Sequence, residues 1–467
     1  MELSLHIEGL AFGGKGFVKD NQFIIFVDRA IPGQTVLARV FKVKKNYAEA
    51  KLLSVIKESP DHEMPACAHF GTCGGCKHQN LRYELQIDYK RSQVMETLEH
   101  IGGFRGIAVP ETMPSPDIFY YRNKMEFSFS DQRWLTDEEV RSGAEVDNKD
   151  FALGLHVPGR YDKVLDVESC HLLSDRSNTV LHIVKRWAVA NALPPYTTAS
   201  HTGYVRFLVL REGKNTDQFM VNLVTADDAK RNKEVLQLKE MLLNEAPFIT
   251  TFVHNINRKK AQIAVGDEES VLFGPGYIHE RLGEFTFQIS ANSFFQTNSR
   301  QCENLYAKII EWGDFKPDDV VYDLYCGAGT IAIYMASQVK KVIGFELVPQ
   351  AIADAEKNCH LNKVDNCVFV EGDLRSNVTD PAALRRKYGK PDTVIIDPPR
   401  SGMHPDIPGK IIEMGPDKII YVSCNPATLA RDTKMLCEEA YSLDKVLPVD
   451  MFPHTPHCEV ITVLTRK

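Results

Sequence analysis

Three short segments of this sequence contain residue types that enzymes use for covalent and acid–base chemistry. They are Asp-Pro-Pro-Arg at 397–400, Ser-Cys-Asn-Pro at 423–426 and His-Cys-Glu at 457–459. The first two directly follow runs that predict β-strands, and strand carboxyl ends line the ligand crevice of open α/β sheets. A thiol and a carboxyl group placed there could serve as nucleophile and proton acceptor. The alternative for Cys424 is a buried core cysteine, which is the common role of an isolated cysteine.

A glycine-rich turn ahead of these segments predicts a nucleotide-type cofactor site. An apolar run at 320–325 leads into Cys-Gly-Ala-Gly-Thr at 326–330, which is typical of the strand, turn and helix start of a nucleotide-binding unit. Glu346 ends the next predicted strand, where a carboxylate can accept from both ribose hydroxyls. The two glycines and Ala332 also fit the dinucleotide pattern, so a nicotinamide-dependent dehydrogenase is an alternative. Asp323 favours instead a cofactor with a positive sulfonium and amino group, because a carboxylate before the turn disfavours a pyrophosphate.

The spacing of the cysteines predicts a metal site. The chain has eleven cysteines, which in a cytosolic protein are expected to be reduced thiols, metal ligands or catalysts rather than disulfides. Cys67, Cys73 and Cys76 have the spacing Cys-x5-Cys-x2-Cys in a glycine-rich loop, and Cys170 is the expected fourth ligand. Four thiolates suit zinc or an iron–sulfur cluster, and the spacing alone does not decide between them.

Alternating strand and helix patterns predict the fold. The strand-like runs in the last part of the chain are 320–324, 341–346, 368–370, 393–396 and 419–423, with 459–465 as a possible late strand. Helical periodicity fills most of the gaps, which predicts an α/β fold with a doubly wound, largely parallel sheet. The first 58 residues are β-rich and fit a small five-stranded barrel of the oligonucleotide-binding type. The expected domains are a barrel at 1–60, a central α+β domain containing the cysteines at 61–285, and the doubly wound sheet at 286–467.

The charge and hydropathy of the chain limit which kinds of partner it can have. The net charge of −7 argues weakly against nucleic-acid binding by bulk electrostatics. A local basic stripe could nevertheless contact phosphates, the alternative being a solvated strand face; it consists of Arg39, Lys42, Lys44, Lys45 and Lys51. No apolar run approaches the roughly 18–20 residues that cross a membrane. We therefore expect a cytoplasmic protein without a membrane partner, and a monomer.

Taken in order, the motifs resemble those of the RNA uracil-C5 methyltransferase family, which uses S-adenosylmethionine. The motifs are Asp-Leu-Tyr-Cys-Gly-Ala-Gly, Asp-Pro-Pro-Arg, Ser-Cys-Asn-Pro and His-x-Glu, and Ser-Phe-Phe-Gln-Thr-Asn at 293–298 is similar to a further family segment. The resemblance covers nearly the whole chain, including the barrel, called TRAM in that family, and implies a class I methyltransferase sheet with RNA as partner. Thr330 and Cys458 depart from the residues usual in the family.

By position, the resemblance implies roles for seven side chains. Cys424 matches the nucleophile, which adds to carbon 6 of uracil so that carbon 5 can attack the methyl group. Glu459 matches the base that then removes the hydrogen from carbon 5. The side chains expected to contact the cofactor are Gln296, Tyr325, Glu346, Asp373 and Asp397.

The resemblance also bears on the metal and the RNA. One branch of the family holds a [4Fe-4S] cluster with similar cysteine spacing, which favours that cluster over zinc. This branch mostly acts on 23S ribosomal RNA, whereas the transfer RNA enzymes usually lack cluster and barrel. The expected substrate is therefore 23S rRNA, with a tRNA uridine as the alternative. From another functional class, the alternative is an RNA-binding iron–sulfur protein without turnover.

Overall fold

The structure, a computed structural model, describes residues 1–20, 22–143, 146 and 148–467. The chain divides into two compact units, each built from separate stretches of sequence. The first unit comprises Met1–Met64, Lys77–Pro116 and Arg300–Lys467, and the second comprises Pro65–Cys76 and Asp117–Ser299. This spatial grouping differs from the linear division at residues 60 and 285, which stays a prediction.

The first unit begins with a sheet of short strands. These are β1 (Glu2–His6), β2 (Gly9–Leu10), β3 (Gly16–Asp20), β4 (Phe23–Asp28), β5 (Thr35–Val43) and β6 (Tyr47–Lys57). Their order is β1-β5-β6-β4-β3-β2. Buried and exposed residues alternate along β5, where Val36 and Ala38 face a small apolar core and Arg39 faces solvent. The sheet has one strand more than expected, because the two residues of β2 are too short a run to predict.

Helix α1 (Tyr83–Thr97) follows in the same unit and continues through a π-helical turn at Leu98–Gly102. Val94 enters the apolar core of the carboxyl-terminal sheet described below. The Gln93 side-chain amide donates to the carbonyl of Leu10 over 3.3 Å. Helix α1 therefore contacts both the amino-terminal strands and the carboxyl-terminal sheet.

The second unit is built on a mixed sheet of eight strands in the order β14-β13-β12-β11-β7-β9-β10-β8, with a separate hairpin, β15-β16. Trp187 and Leu238, on α3 and α4, are fully buried in its apolar core. The elements are β7 (Lys124–Ser130), β8 (Arg133–Trp134), α2 (Asp137–Ser142), β9 (Ala152–Val157), β10 (Arg160–Asp166), α3 (Asp175–Ala190), β11 (Val205–Glu212), β12 (Phe219–Thr225), α4 (Asn232–Glu245), β13 (Thr251–Ile256), β14 (Glu268–Phe273), β15 (Tyr277–Leu282) and β16 (Phe285–Ser290).

The carboxyl-terminal part of the first unit is a seven-stranded sheet with helices in the connections. Its elements are α5 (Ser299–Gly313), β17 (Val320–Leu324), α6 (Thr330–Met335), β18 (Lys341–Glu346), α7 (Pro349–Leu361), β19 (Cys367–Glu371), α8 (Leu374–Asn377), α9 (Pro381–Tyr388), β20 (Thr393–Ile396), α10 (Ile407–Met414), β21 (Lys418–Ser423), α11 (Pro426–Glu439), β22 (Tyr441–Val449) and β23 (Glu459–Arg466).

The strand order of this sheet, β19-β18-β17-β20-β21-β23-β22, determines where a ligand can bind. The first five strands in this order are parallel, and β23 pairs antiparallel with β21 and β22. The connections diverge between β17 and β20, and ligands of such folds bind outside the carboxyl ends of the strands at that point. Among the residues that the structure describes, no helix is both long and apolar enough to span a membrane.

Candidate active site

The turn after β17 presents backbone at the edge of the sheet. Tyr325 (φ 67°), Gly327 (φ 54°) and Gly329 (φ 73°) are all in the left-handed region, which is strained for a non-glycine residue such as Tyr325. A β-carbon at Gly329 would lie 2.8 Å from the ring of Phe369, whereas one at Gly327 would meet no atom within 4 Å. The turn is therefore packed against the protein at Gly329 and open to a ligand at Gly327.

Glu346, at the end of β18, holds this turn. Its carboxylate accepts hydrogen bonds from the backbone N–H groups of Gly327 (3.0 Å), Leu347 (2.8 Å) and Val348 (2.9 Å). An ionised carboxylate can accept about four hydrogen bonds. Backbone N–H groups of the protein supply three of these hydrogen bonds. The Glu346 carboxylate, which the sequence assigns to the ribose hydroxyls, therefore also fixes the shape of the cofactor turn.

The other expected cofactor residues have mixed surroundings. Asp373 caps α8 and forms an exposed ion pair with Arg375 at 2.9 Å, so its carboxylate is engaged within its own turn. Gln296 belongs to the second unit, where the Asn123 amide donates to its carbonyl over 2.8 Å. Thr330, one of the departures from the family pattern, begins α6 and shares a 2.8 Å hydrogen bond with the hydroxyl of another residue of the first unit, Tyr306.

Cys424 lies between the carboxyl end of β21 and the amino terminus of α11. Asn425 caps that helix through its side-chain oxygen, which accepts from the backbone N–H of Ala427 over 3.1 Å. The Ser423 hydroxyl accepts from the Asn425 N–H over 3.2 Å. Helix amino termini stabilise thiolates. Cys424 is only partly buried, which favours a reactive thiol over the core-cysteine alternative.

Burial and neighbouring acids control the ionisation of this thiol. Burial and then the charge of Glu459 raise the pKa of Cys424 to about 11, while Arg400 opposes this through its charge and a hydrogen bond. Burial is also the main reason that the pKa values of Asp323, Asp397 and Glu459 lie above their usual range, and the charge of Asp397 adds to the effect on the other two. Glu459 Oε2 has no hydrogen-bond partner among the described residues.

This group of acids, in which Asp323 and Glu459 are buried and Asp397 is partly buried, fits a cationic ligand. Burial raises the pKa of all three carboxyl groups, and the charge of Asp397 adds to this effect at Asp323 and Glu459. A positive charge placed among them would favour their ionised forms. The donor set therefore suits a cofactor that carries a sulfonium and an ammonium group, as the position of Asp323 suggested.

Arg400 links three parts of the site. Its positive charge lowers the pKa values of both Cys424 and Glu459. Its Nη2 also lies 2.9 Å from Nδ1 of His457. Both Arg400 and His457 belong to motifs of the sequence, which gave neither of them a role. The available signal was that Arg400 shares its motif with Asp397 and His457 shares its motif with Glu459.

Cys458, the unexpected thiol, points away from this chemistry. It is 4% exposed and packs in the apolar core of the sheet. Its sulfur donates to the carbonyls of Glu459 (3.2 Å) and Val449 (3.6 Å), and burial raises its pKa to about 12. These surroundings are those of a structural core residue directly before β23.

The cysteines of the second unit are near one another but do not form a complete metal site. The charges of Cys170 and Cys67 add to burial in raising the pKa of Cys73 to about 11, and the Gly75 N–H donates to the Cys73 sulfur over 3.3 Å. Thiolate chemistry and N–H···S contacts suit an iron–sulfur cluster. Within the described ranges, however, no three His, Cys, Asp or Glu side chains converge closely enough to hold a metal ion.

Comparison with known proteins gives matches along the whole chain. Residues 255–467 match the family described as tRNA (Uracil-5-)-methyltransferase, and residues 2–53 match the TRAM domain. An RNA methyltransferase of Chlorobaculum tepidum, described as uncharacterized, is 44% identical over 437 residues, which are 93% of this chain and 90% of that protein. A second, from Bacteroides thetaiotaomicron, is 38% identical over 459 residues, or 97% and 99% of the two chains.

A solved structure matches over the same extent. The tRNA (uracil-54, C5)-methyltransferase of Pyrococcus abyssi, in complex with S-adenosyl-L-homocysteine, is 30% identical with a TM-score of 0.76, and the match covers 99% of this chain and 100% of that chain. Together with the TRAM match, this confirms the predicted α/β methyltransferase sheet preceded by a TRAM module. Neither of these two matches supports the expected iron–sulfur cluster.

Proposed function

Because this chain belongs to the tRNA (uracil-5-)-methyltransferase family and is an S-adenosylmethionine-dependent RNA methyltransferase, we propose that it methylates carbon 5 of a uridine through a covalent adduct with Cys424. The observation that carries this proposal is the position of the Cys424 thiol at a strand end, where it interacts with both Glu459 and Arg400. Because the family consists of methyltransferases, it excludes the alternative that the chain is a nicotinamide-dependent dehydrogenase.

The chain's own residues would bind the cofactor at the divergence between β17 and β20. We assign this role to Tyr325, Glu346, Asp373 and Asp397, and we propose from its motif that Gln296 also contacts the cofactor. S-adenosylmethionine supplies an electrophilic methyl group when it is bound. Its positive charge would stabilise the ionised forms of the carboxyl groups of Asp323, Asp397 and Glu459, whose pKa values are raised.

Cys424 would begin the reaction as a thiolate. Because its pKa of about 11 lies well above neutral pH, it depends on the Arg400 guanidinium and the α11 amino terminus for ionisation. The sulfur adds to carbon 6 of the extruded base, and the electrons of the carbon 5–carbon 6 double bond move towards the carbon 4 carbonyl. Carbon 5 then takes the methyl group, and the electron pair of the broken sulfur–methyl bond stays on the cofactor sulfur.

Glu459 would complete the reaction. Its raised pKa makes its carboxylate a stronger base than an exposed glutamate. It removes the hydrogen from carbon 5, the double bond re-forms, and the bond between carbon 6 and Cys424 breaks to release the thiolate. Uracil is thus held between a nucleophile and a base that act at successive steps.

Two substitutions separate these steps. Cys424→Ala should abolish both methyl transfer and any covalent complex with RNA. Glu459→Gln should allow the adduct to form and then stall, leaving methylated RNA in a denaturant-resistant band on a gel, because a missing base typically slows a step about 10²–10⁴-fold. Cys458→Ala is the matched control and should turn over without trapping RNA. If Cys458→Ala formed no adduct while Cys424→Ala still did, the assignment of Cys424 as the nucleophile would be wrong.

The proposed substrate is 23S rRNA, as expected from the combination of cluster spacing and barrel. A second candidate, transfer RNA, is supported by the Pyrococcus abyssi enzyme, whose name specifies tRNA and whose match includes nearly all of this chain. Because that match includes the TRAM region, it weakens the argument that a chain with the barrel acts on rRNA. Mapping 5-methyluridine in rRNA and tRNA from a deletion strain distinguishes the two. If no 5-methyluridine is lost from either RNA, the uridine methylation proposal fails.

We further propose that Cys67, Cys73, Cys76 and Cys170 hold a [4Fe-4S] cluster. The proposal is supported by the spacing and by the mutual influence of three of these thiols. Protein purified without oxygen should be brown and contain about four irons per chain. Cys170→Ala should lose iron and stability, because ligation free energy contributes to folding. Colourless protein with stoichiometric zinc would contradict this proposal.

A further inference from the structure

We propose that His457 is a positioning residue that holds the Arg400 guanidinium on the side of the site where Cys424 lies. The inference rests on the proposed role of Cys424 and adds a residue whose part in the reaction the motifs alone did not give. It starts from the 2.9 Å contact between Nη2 of Arg400 and Nδ1 of His457.

The direction of this hydrogen bond follows from the chemistry of the two groups. A guanidinium has donors only, so Nδ1 of His457 must accept. The imidazole therefore carries its proton on Nε2 and is neutral while the contact exists. A residue at 457 can perform this role only if it offers an acceptor at the position of Nδ1.

The backbone on the Arg400 side of the contact is fixed. The Asn425 side-chain amide donates to the Arg400 carbonyl over 3.0 Å. The loop then turns at Gly402, and the Met403 N–H donates to the buried carboxylate of Asp432 over 2.8 Å. The Arg400 residue itself remains exposed, so its long side chain is the part that needs an orienting partner.

The backbone on the His457 side is fixed as well. The His457 N–H donates to Thr455 Oγ1 over 3.2 Å, and the Phe452 ring lies edge-on to the imidazole with 6.3 Å between centroids. Further back, the His454 N–H donates to the Gln86 side chain of α1 over 3.0 Å. The acceptor at His457 is therefore held in place by packing that extends to α1.

The consequence of this alignment is electrostatic. Two acidic groups, Glu459 and Asp397, face the Cys424 thiol and raise its pKa, and the Arg400 guanidinium opposes them. An exposed arginine without an acceptor at His457 would spend more time in solvent. The thiolate fraction of Cys424 at neutral pH would then fall, and with it the rate of attack on the base.

The test measures the thiol directly, without RNA. Iodoacetamide labelling of Cys424 is followed by peptide mass spectrometry across pH in the full-length protein, for His457→Leu, His457→Asn and the exposed control His360→Asn. We expect His457→Leu to slow labelling at pH 8 by about tenfold, the effect of one pKa unit on the thiolate fraction. Asparagine places an acceptor near the position of Nδ1, so His457→Asn should stay within about twofold of the unsubstituted protein, as should the control.

Steady-state methylation supplies the second readout. The kcat of His457→Leu should fall in parallel with its labelling rate, with the KM for S-adenosylmethionine changed less than about twofold. Equal labelling in His457→Leu and the unsubstituted protein, or equal loss in His457→Leu and His457→Asn, would overturn the inference. If the protein forms no adduct with RNA, the proposed function fails, yet the labelling comparison still decides whether His457 acts on Cys424.

Discussion

At the residue scale, the thiol and the acids of the site are balanced against each other. Cys424, Asp397 and Glu459 would each be easier to ionise if the others were neutral. A bound cation favours ionisation of the acids, whereas a bound polyanion disfavours it. The arrangement therefore couples the reactivity of the nucleophile to what occupies the site, with Arg400 as the resident positive group.

This coupling gives a prediction with a definite sign. Removing the negative charge of Glu459 by Glu459→Gln should lower the pKa of Cys424 below about 11, because that charge is one of the causes of the raised value. Labelling of Cys424 with iodoacetamide as a function of pH measures the change. The exposed substitution Glu439→Gln, at the end of α11, should leave the labelling midpoint unmoved. An unchanged or higher midpoint in Glu459→Gln would mean that the two groups do not interact.

The sequence predicts which individual residues take part in the site more readily than it predicts the contacts between them. Cys424, Glu459 and Asp397 were recognisable because short motifs surround them. The 2.9 Å contact of Arg400 with His457 joins positions 57 residues apart and has no local sequence pattern. The hydrogen bond from the Gly327 N–H to Glu346 likewise depends on two loops meeting in space.

At the scale of elements, the strands of the carboxyl-terminal sheet were predictable because buried parallel strands read as short apolar runs. The runs at 320–324, 341–346 and 393–396 coincide with β17, β18 and β20. The order in which the strands pair was harder to predict from the sequence, because it depends on contacts between residues far apart in the chain. Strand β22, with only part of its residues buried, was not predicted.

Helix α1 anchors the segment between β22 and β23 through a buried ion pair. Lys90 Nζ lies 2.6 Å from Asp450 Oδ1, with side-chain exposures of 2% and 0%, and the Tyr83 hydroxyl donates to the other Asp450 oxygen over 2.8 Å. Since burial removes water from both charges, each depends on its partner. The segment that carries His457 is thus attached to a helix far away in sequence.

Breaking this pair should be costly. Lys90→Met leaves the Asp450 carboxylate buried without its cation, and we expect a loss of about 3–5 kcal/mol in the free energy of unfolding, seen as a lower midpoint in urea. The control is Lys434→Met, which removes an exposed pair with Glu438 at 3.8 Å and should cost less than about 1 kcal/mol. Similar midpoints for the two variants would show that the buried pair contributes little.

At the scale of the whole molecule, the net charge of −7 means that RNA must be bound through local positive surface. The basic stripe on β5, β6 and the turn between them is only partly available, because Arg39 pairs with Glu2 at 2.7 Å and Lys42 pairs with Glu49. The stripe residues without an ion pair among the described residues are Lys44, Lys45 and Lys51. Sequence composition predicted the stripe but not this neutralisation.

These three lysines should therefore dominate salt-dependent binding. Replacing Lys44, Lys45 and Lys51 together by Gln should weaken RNA binding and reduce the slope of log affinity against log salt by about 0.7–0.9 for each phosphate that is no longer neutralised. The double substitution Arg39→Gln and Lys42→Gln should have a smaller effect. Fluorescence anisotropy over a range of salt concentrations measures both slopes. A larger change of slope in the double variant would assign RNA binding to the paired residues.

The attachment of α1 to the last part of the chain has a consequence for biosynthesis. Tyr83 and Asp450 are 367 positions apart, and Gln86 and His454 are 368 apart. At roughly 5–20 residues per second, α1 leaves the ribosome about 20–70 s before its partners are made. During that interval three of the side chains that α1 buries in the folded protein, Gln86, Lys90 and Val94, lack their carboxyl-terminal partners. A nascent chain that stops before Asp450 lacks both this attachment and Glu459, so premature termination yields a protein that is incompletely folded as well as inactive, and therefore open to proteolysis.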